Sequence, residues 1–120
     1  LLHSPAGGNL APHRRLRQKL VHSLLSLLAA YGIAARFKEP NDIYVQDKKI
    51  CGILIETQSS MQNLDYVVVG LGLNINQVDF GELAATSMSL EMKKTYKVRS
   101  VMRHLLGYLL TSYDIMVKTK

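Results

Sequence analysis

The sequence has one cysteine, no tryptophan and three prolines among its 120 residues. A single cysteine, Cys51, excludes an intrachain disulfide, so a reducing, cytoplasmic setting is predicted and Cys51 is expected to be a small strand residue. No apolar run approaches the roughly 18 residues that a membrane span needs. The first residues do not combine a basic region with a long apolar core, so no signal peptide is predicted.

Acidic residues are also few: nine Asp and Glu stand against 15 Lys and Arg, a net charge of +6. Five basic residues or histidines fall between His13 and Lys19. They are interpreted either as a nucleic-acid or phosphate patch or as a solvated helix face. The second interpretation is favoured, because no aromatic residues interleave the charges and no nucleic-acid motif follows. The four histidines lack metal-ligand spacing, so no protein-bound metal is predicted.

A chain of this length makes one small domain. Apolar residues recur with helical spacing after Pro12, and Gly32 is placed to end that helix. A second amphipathic helix is predicted from about Lys97 nearly to the end, through Tyr113 and Met116. Short branched segments between them predict strands over residues 33–37, 43–45, 50–55 and 65–75. The expected architecture is α+β, a mostly antiparallel sheet with two main helices on one face, and residues 1–11 are expected to be loop or frayed end.

Residues 38–56, KEPNDIYVQDKKICGILIE, concentrate the polar chemistry of the chain. Pro40 prevents a helix here, and residues 46–49 are typical of a hairpin connection between two strands. That turn would bring Lys49 back beside Asp42. Gly52, inside the second strand, marks either a bulge or a place where a ligand approaches the backbone, and position alone does not separate the two.

The strand predicted over residues 65–75 has two unlike faces. Alternation places Val68, Gly70, Gly72 and Asn74 on one face and apolar side chains on the other. A flat ligand fits this nearly bare track, with Asn74 hydrogen-bonding at its end. The alternative is a strand crossed closely by a helix. A dinucleotide-binding fingerprint is excluded, because the third glycine is missing and no helix follows.

Four motifs in this order, residues 38–42 (KEPND), 48–56 (KKICGILIE), 69–76 (VGLGLNIN) and 85–88 (ATSM), resemble the catalytic domain of biotin-protein ligases. The resemblance covers roughly residues 10–116 and implies a fold similar to class II aminoacyl-tRNA synthetases. The family's arginine- and glycine-rich loop, winged-helix domain and C-terminal small barrel have no counterpart, and the first residue is Leu, so a partial domain is expected. Lipoate-protein ligases share the fold, but the Pro-Asn-Asp run and the glycine-containing strand favour the biotin branch.

The resemblance implies an ATP- and Mg²⁺-dependent enzyme that makes biotinyl-adenylate. It then transfers biotin to a lysine of a biotin carboxyl carrier domain. The implied site residues are Lys49 and Asp42 for catalysis, Lys49, Gly52, Ile53 and Leu54 for biotin, and Lys38, Asn41 and Asn74 for the nucleotide. Membrane and nucleic-acid partners are not expected.

One residue departs from the family pattern: Glu39 stands where the family usually has Trp. A negative charge beside a phosphate-handling site would disfavour ATP. The alternative function is therefore a non-catalytic remnant or fragment that binds a nucleotide or a protein. Strands left unpaired in a partial domain also predict self-association through an open sheet edge.

Overall fold

The computed structural model describes residues 13–59, 62 and 65–111. In chain order the elements are α1 (Arg14–Ala30), β1 (Arg36–Lys38), β2 (Asp42–Val45), β3 (Lys48–Ser59), β4 (Asp65–Leu73), α2 (Met88–Met92) and α3 (Val98–Leu110). The four strands form one antiparallel sheet in the order β1-β2-β3-β4. The predicted α+β class is confirmed, whereas the expectations for residues 1–11 and for Tyr113 and Met116 lie outside the described residues.

Helix α1 ends where the sequence predicts. Gly32 has a φ of 86°, the left-handed conformation that glycine adopts without strain. Its N–H donates to the carbonyl of Ala29 at 2.9 Å, and the N–H of Ile33 donates to the carbonyl of Leu28 at 2.8 Å. This pair of bonds is a Schellman motif, and the burial of Leu28 and Ile33 supplies its hydrophobic contact. The turn sends the chain from the helix back toward the sheet.

The sheet has one packed and one open face. Side chains of Ile43, Cys51, Ile53, Ile55, Val67, Val69, Leu71 and Leu73 join the buried leucines of α1 and three residues of α3 in one core. The opposite face carries Leu54 and Val68, which are 57% and 40% exposed. The predicted alternation in β4 is confirmed through Leu73, and so is the placement of the two main helices on one side of the sheet.

Helix α3 buries a narrower stripe than its sequence predicts. Val101, Leu105 and Leu109 are buried, but Val98 and Met102, two further apolar residues of the helix, are 51% and 37% exposed. The buried three follow one line at intervals of four residues, and the exposed two lie on a neighbouring line of the helix. No helix within the described part of the chain combines the length and apolar character of a membrane span.

Several strand boundaries differ from the prediction. The first strand is Arg36–Lys38 and not residues 33–37. The strand predicted over residues 50–55 continues to Ser59 in the structure, where Thr57 pairs with Val67 and Ser59 with Asp65. These polar residues are exposed at the end of the β3–β4 ribbon, where the backbone ladder holds the strand and no apolar side chain is needed.

The β2–β3 hairpin turns over two residues and not four. Val45 pairs with Lys48, which leaves only Gln46 and Asp47 in the turn. Gln46 takes a left-handed φ of 55°, as a two-residue hairpin commonly requires. Lys48 and Lys49, expected in the connection, are therefore the first two residues of β3.

Candidate active site

A cleft of about 450 Å³ opens on the uncovered face of the sheet, over β3 and β4. Its floor is nearly bare because Gly52 of β3 pairs with Gly72 of β4, and Gly70 stands two residues away on the same face. The described residues lining it are Asp42, Lys49, Gly52, Ile53, Leu54, Gly70, Leu71 and Gly72. A flat, largely apolar group fits such a floor because the backbone is accessible there.

Ile53 and Leu54, predicted to contact biotin together with Gly52, take different positions at the cleft. The Ile53 side chain is 5% exposed and belongs to the core, so only its backbone faces the cleft. Leu54 is 57% exposed on the open face, beside Gly70 of the neighbouring strand. Leu54 thus supplies an apolar wall and Ile53 part of the floor.

Lys49 reaches the cleft because of an irregularity in β3. The register with β2 shifts between Lys49 and Cys51, so Ile50 is an extra residue without an opposite partner. Such a bulge moves the alternation of faces by one residue. Lys49 therefore points to the open face with Asp42, whereas strict alternation from Cys51 would turn it into the core.

The ammonium of Lys49 lies 3.1 Å from Oδ1 of Asp42. This confirms that the short hairpin returns Lys49 to the Asp42 end, although the lysine lies in a strand and not in the turn. The two side chains are 44% and 29% exposed. A pair this accessible to water adds little to folding stability. Its consequence is local, since it holds a cation at the end of the glycine floor.

Gly52 makes room for that cation. A Cβ at this position would lie 3.2 Å from Nζ and 3.3 Å from Cε of Lys49. Gly72, its cross-strand neighbour, would place a Cβ in open space. The bulge predicted as one meaning of Gly52 lies two residues earlier, at Ile50, so Gly52 itself pairs regularly with Asp42. The end of the Lys49 side chain lies beside the space that a side chain at position 52 would fill.

Lys38 and Asn41, predicted on the nucleotide side, flank the cleft without lining it. Nζ of Lys38 lies 4.6 Å from the centre of the Tyr44 ring, a cation–π contact beside Asp42. Oδ1 of Asn41 accepts a hydrogen bond from Nε of Arg17 at 2.8 Å. Asn41 also accepts from the N–H of Ile53 at 2.8 Å through its carbonyl. Asn41 therefore links α1 to the cleft strand.

Asn74 comes directly after β4 and lies outside the group of cleft-lining residues. Its Nδ2 donates to the carbonyl of Thr86 at 3.1 Å, and its N–H donates to the carbonyl of Ile50 at 2.9 Å. Asn76 does similar work two residues later, where its amide exchanges hydrogen bonds with the backbone of Tyr96. Asn74 therefore links the end of β4 to Ile50 of β3 and to the segment that precedes α2.

Sequence reasoning left residues 84–86 without a role, and the structure places them against Lys49. The N–H of Lys49 donates to the carbonyl of Ala84 at 3.0 Å, and the N–H of Thr86 donates to the carbonyl of Lys49 at 2.9 Å. Ser87 then caps α2, its hydroxyl accepting from the N–H of Leu90 at 3.1 Å. The only signal in the sequence was the ATSM motif, which says nothing about pairing with a distant strand.

Cys51 and Glu39 do not line the cleft. Burial raises the pKa of the Cys51 thiol to about 12, against a smaller lowering by Lys49, so the thiol stays protonated and inert at neutral pH. Glu39 lies exposed in the turn between β1 and β2, next to Lys38. Within residues 13–59, 62 and 65–111, no group of three His, Cys, Asp or Glu side chains could hold a metal ion.

The family model of the lipoyl protein ligase A/B catalytic domain matches residues 9–117 of this chain. The chain belongs to this ligase family. The resemblance drawn from the four motifs is confirmed, and so is the partial catalytic fold that it implied.

Curated relatives of this ligase-family chain include three named as bifunctional ligase/repressor BirA, from Bacillus spizizenii, Bacillus subtilis and Escherichia coli. The protein from Bacillus spizizenii is 39% identical over 83 residues, which make up 65% of this chain and 26% of that protein. The protein from Escherichia coli is 42% identical over 40 residues, or 33% of this chain and 12% of that protein. The chain thus spans about a quarter of the Bacillus relative.

Solved structures of ligases have the same fold. The apo biotin protein ligase from Aquifex aeolicus superposes with a TM-score of 0.70 at 27% identity, over 82% of this chain and 44% of that one. The same ligase in complex with biotin and ATP superposes with a TM-score of 0.61 at 26% identity, over 80% of this chain and 39% of that one. LipL1 from P. falciparum, in complex with lipoate, superposes with a TM-score of 0.59 at 16% identity, over 88% of this chain and 32% of that one. At this identity the likeness shows the fold alone. The chain therefore corresponds to less than half of these ligases.

Proposed function

We propose that this chain forms part of the catalytic domain of a biotin-protein ligase. The observation that carries the proposal is the Lys49 ammonium, held by Asp42 at the end of a glycine floor in an open cleft. The apolar floor suits the rings of biotin, and the cation suits its carboxylate. The identity to BirA and the similarity to a biotin- and ATP-bound ligase support biotin and ATP as substrates.

In the first step, a biotin carboxylate oxygen attacks the α-phosphorus of ATP. The new oxygen–phosphorus bond gives biotinyl-adenylate, and the bond to pyrophosphate breaks. Negative charge builds around phosphorus, and a fixed cation offsets it. We assign this role to Lys49, a compact charge at the end of the cleft floor. We assign Lys38, Asn41 and Asn74 to the nucleotide. Asn74 lies at the same end of β4 as Lys49, since its N–H donates to the carbonyl of Ile50.

Mg²⁺ would enter with ATP and neutralise phosphate charge. Among the described residues, Asp42 is the only carboxylate that lines the cleft, and it is paired with Lys49. One carboxylate suits an ion held mainly by phosphate oxygens and water, which is the usual arrangement for Mg²⁺. We therefore assign the ion no cage of protein ligands.

In the second step, a lysine amine of the acceptor attacks the acyl carbon of the adenylate. An amide forms and AMP leaves. Asp42 lies where a carboxylate can orient the incoming amine, since it neighbours Lys49 on the open face. We propose a biotin carboxyl carrier domain as the acceptor, in the cytoplasm, where the single buried Cys51 is in keeping with reducing conditions.

Two alternatives make different predictions for substrate. A lipoate-protein ligase shares the fold, as the lipoate-bound P. falciparum structure shows for that protein. A non-catalytic remnant is favoured by Glu39, which puts a carboxylate beside Lys38. Pyrophosphate release by the full-length protein, measured with ATP and either biotin or lipoate, distinguishes the biotin ligase, the lipoate ligase and the remnant. Release with biotin supports our proposal, release with lipoate alone supports the lipoate ligase, and no release supports the remnant.

The decisive variant is Lys49→Ala in the full-length protein, with Lys48→Ala as the matched control. Lys48 is the exposed neighbour that does not line the cleft. We expect Lys49→Ala to lower pyrophosphate release by orders of magnitude while leaving folding nearly intact, because an accessible lysine leaves no cavity. Lys48→Ala should retain most of the rate. Wild-type turnover in Lys49→Ala would refute the assignment.

A further inference from the structure

The backbone of Lys49 has hydrogen-bond partners outside the regular ladder of the sheet. β4 ends opposite Cys51, so it does not extend beside Lys49. Residues 84–86 take its place there, with Ala85 bridged to Lys49 in the parallel sense. Both backbone groups of Lys49 are bonded to this segment, at 3.0 Å to Ala84 and 2.9 Å to Thr86. The direction of the Cα–Cβ bond follows the orientation of the adjacent peptide planes, so these two bonds hold the Lys49 side chain on the cleft face of the sheet.

The segment is itself held from two sides. The carbonyl of Thr86 accepts from Nδ2 of Asn74 at 3.1 Å. The hydroxyl of Thr86 donates to Oε2 of Glu91 at 2.6 Å, which ties the segment to α2. Thr86 is 1% exposed, so its backbone and hydroxyl are fixed inside the fold although Glu91 lies at the surface. A hydrogen bond to a carboxylate is stronger than one between neutral groups.

We propose that residues 84–86 form a clamp that sets the direction of Lys49, and that Thr86 is its positioning residue. The clamp keeps the Ile50 bulge, because it satisfies the backbone groups that the bulge removes from the β2–β3 ladder. Without the Thr86–Glu91 bond, the segment opens and Lys49 samples directions away from Asp42. The kinetic part of this inference rests on the proposed function, whereas the clamp itself does not.

Amide hydrogen exchange in the full-length protein tests the clamp without any substrate. Thr86→Val keeps the shape of the side chain and removes the hydroxyl, and Thr86→Ser restores it. We expect exchange of the Lys49 amide to rise at least tenfold in Thr86→Val and to return toward the wild-type rate in Thr86→Ser. Amides of the β3–β4 ladder report whether the fold is retained, and they should be unchanged.

Glu91→Ala provides a second route if Thr86→Val fails to fold. Glu91 is exposed, so its truncation leaves no cavity, and Glu91→Gln keeps an acceptor for the hydroxyl. Faster exchange of the Lys49 amide in Glu91→Ala, with little change in Glu91→Gln, supports the clamp. Wild-type exchange at Lys49 in every folded variant that lacks the bond would overturn it.

Steady-state kinetics then show what the clamp does for the reaction. We expect Thr86→Val to lower kcat for pyrophosphate release at least tenfold with the KM for ATP nearly unchanged, because Lys49 is misdirected while the floor of the cleft is intact. If the wild-type protein has no ligase activity while Thr86→Val still speeds exchange of the Lys49 amide, the proposed function is contradicted and the clamp stands. Full ligase activity with unchanged exchange contradicts the clamp alone.

Discussion

Gly52 and Gly72 face each other across β3 and β4, but they differ in what an added methyl group would meet. At Gly52 the Cβ would press on the end of Lys49 at 3.2 Å, and at Gly72 it would meet nothing within 4 Å. Since the end of a lysine is flexible, Gly52→Ala should move Lys49 rather than unfold the protein. The two glycines therefore offer a matched pair of substitutions.

We expect Gly52→Ala to lower pyrophosphate release at least tenfold and Gly72→Ala to lower it clearly less. Both variants should stay within about 1 kcal/mol of the wild-type free energy of unfolding, since neither Cβ meets backbone or core. Urea unfolding and the pyrophosphate assay on the same preparations provide the measurements. An equal loss of activity in the two variants would mean that the cleft rejects any added methyl group and that Lys49 is not displaced.

Substitution of Glu39 tests the effect of its charge on ATP binding. It lies exposed beside Lys38, at the side of the cleft assigned to the nucleotide. A carboxylate facing a triphosphate would cost roughly a kilocalorie or more at partly screened distances. Glu39→Trp in the full-length protein should therefore tighten ATP binding several-fold in calorimetric titration. Glu39→Gln, which removes only the charge, separates electrostatics from the added aromatic surface, and unchanged affinity in both variants would show that Glu39 points to solvent.

The helices show which parts of the fold sequence reasoning reaches. The spacing of Leu16, Leu20 and Leu24, followed by Gly32, predicts α1 and its end because both depend on local chemistry. Alternation likewise predicts the two faces of β4. Strand alternation does not predict the face on which Lys49 lies, because the bulge at Ile50 shifts the alternation by one residue and no glycine marks the bulge position.

The difference between local patterns and non-local pairing also explains which contacts around the cleft the sequence does not predict. The pairing of residues 84–86 with Lys49 joins segments about 35 positions apart, and no local pattern encodes it. The sequence predicts Asn74 as a polar group at the end of a track, but its bond to Thr86 depends on where that segment returns. Strand residues 57–59 were missed because they form a ladder without burying apolar side chains. Local rules thus predicted the hairpin and the two faces of β4, whereas non-local backbone pairing arranges the residues around the cleft.

Two helix glycines give opposite predictions for stability. Gly32 ends α1 with a φ of 86°, and a Cβ there would also lie 3.1 Å from Cε of Met92. Gly32→Ala should lower the free energy of unfolding by about 1 to 2 kcal/mol, the cost of a left-handed conformation for a residue with a side chain. Gly107 lies inside α3, where a Cβ meets nothing within 4 Å. Gly107→Ala should raise stability by about 1 kcal/mol. Urea titration of both variants, with the opposite signs as the criterion, checks the helix assignments.

The sheet as a whole leaves surface that the described residues do not cover. β1 and β4 are its edge strands, and β4 offers nine residues along its free edge. The open face next to that edge carries Leu54, Tyr66 and Val68, each at least 40% exposed. Unpaired strand edges beside apolar side chains invite pairing with another chain. In ligases of this fold, this chain corresponds to less than half of the protein.

We therefore predict that residues 1–120, expressed alone, self-associate and do not make biotinyl-adenylate. The chain supplies Lys49 and the glycine floor, but a shallow, open cleft gives a small ligand few contacts, and a small core leaves little stability in reserve. Light scattering should report species larger than 13.4 kDa, and the pyrophosphate assay should stay at background. Val68→Lys places a charge on the exposed face beside the β4 edge and should reduce the self-association without restoring activity. A compact monomer that turns over biotin and ATP at the rate of a ligase would show that the cleft described here is sufficient by itself.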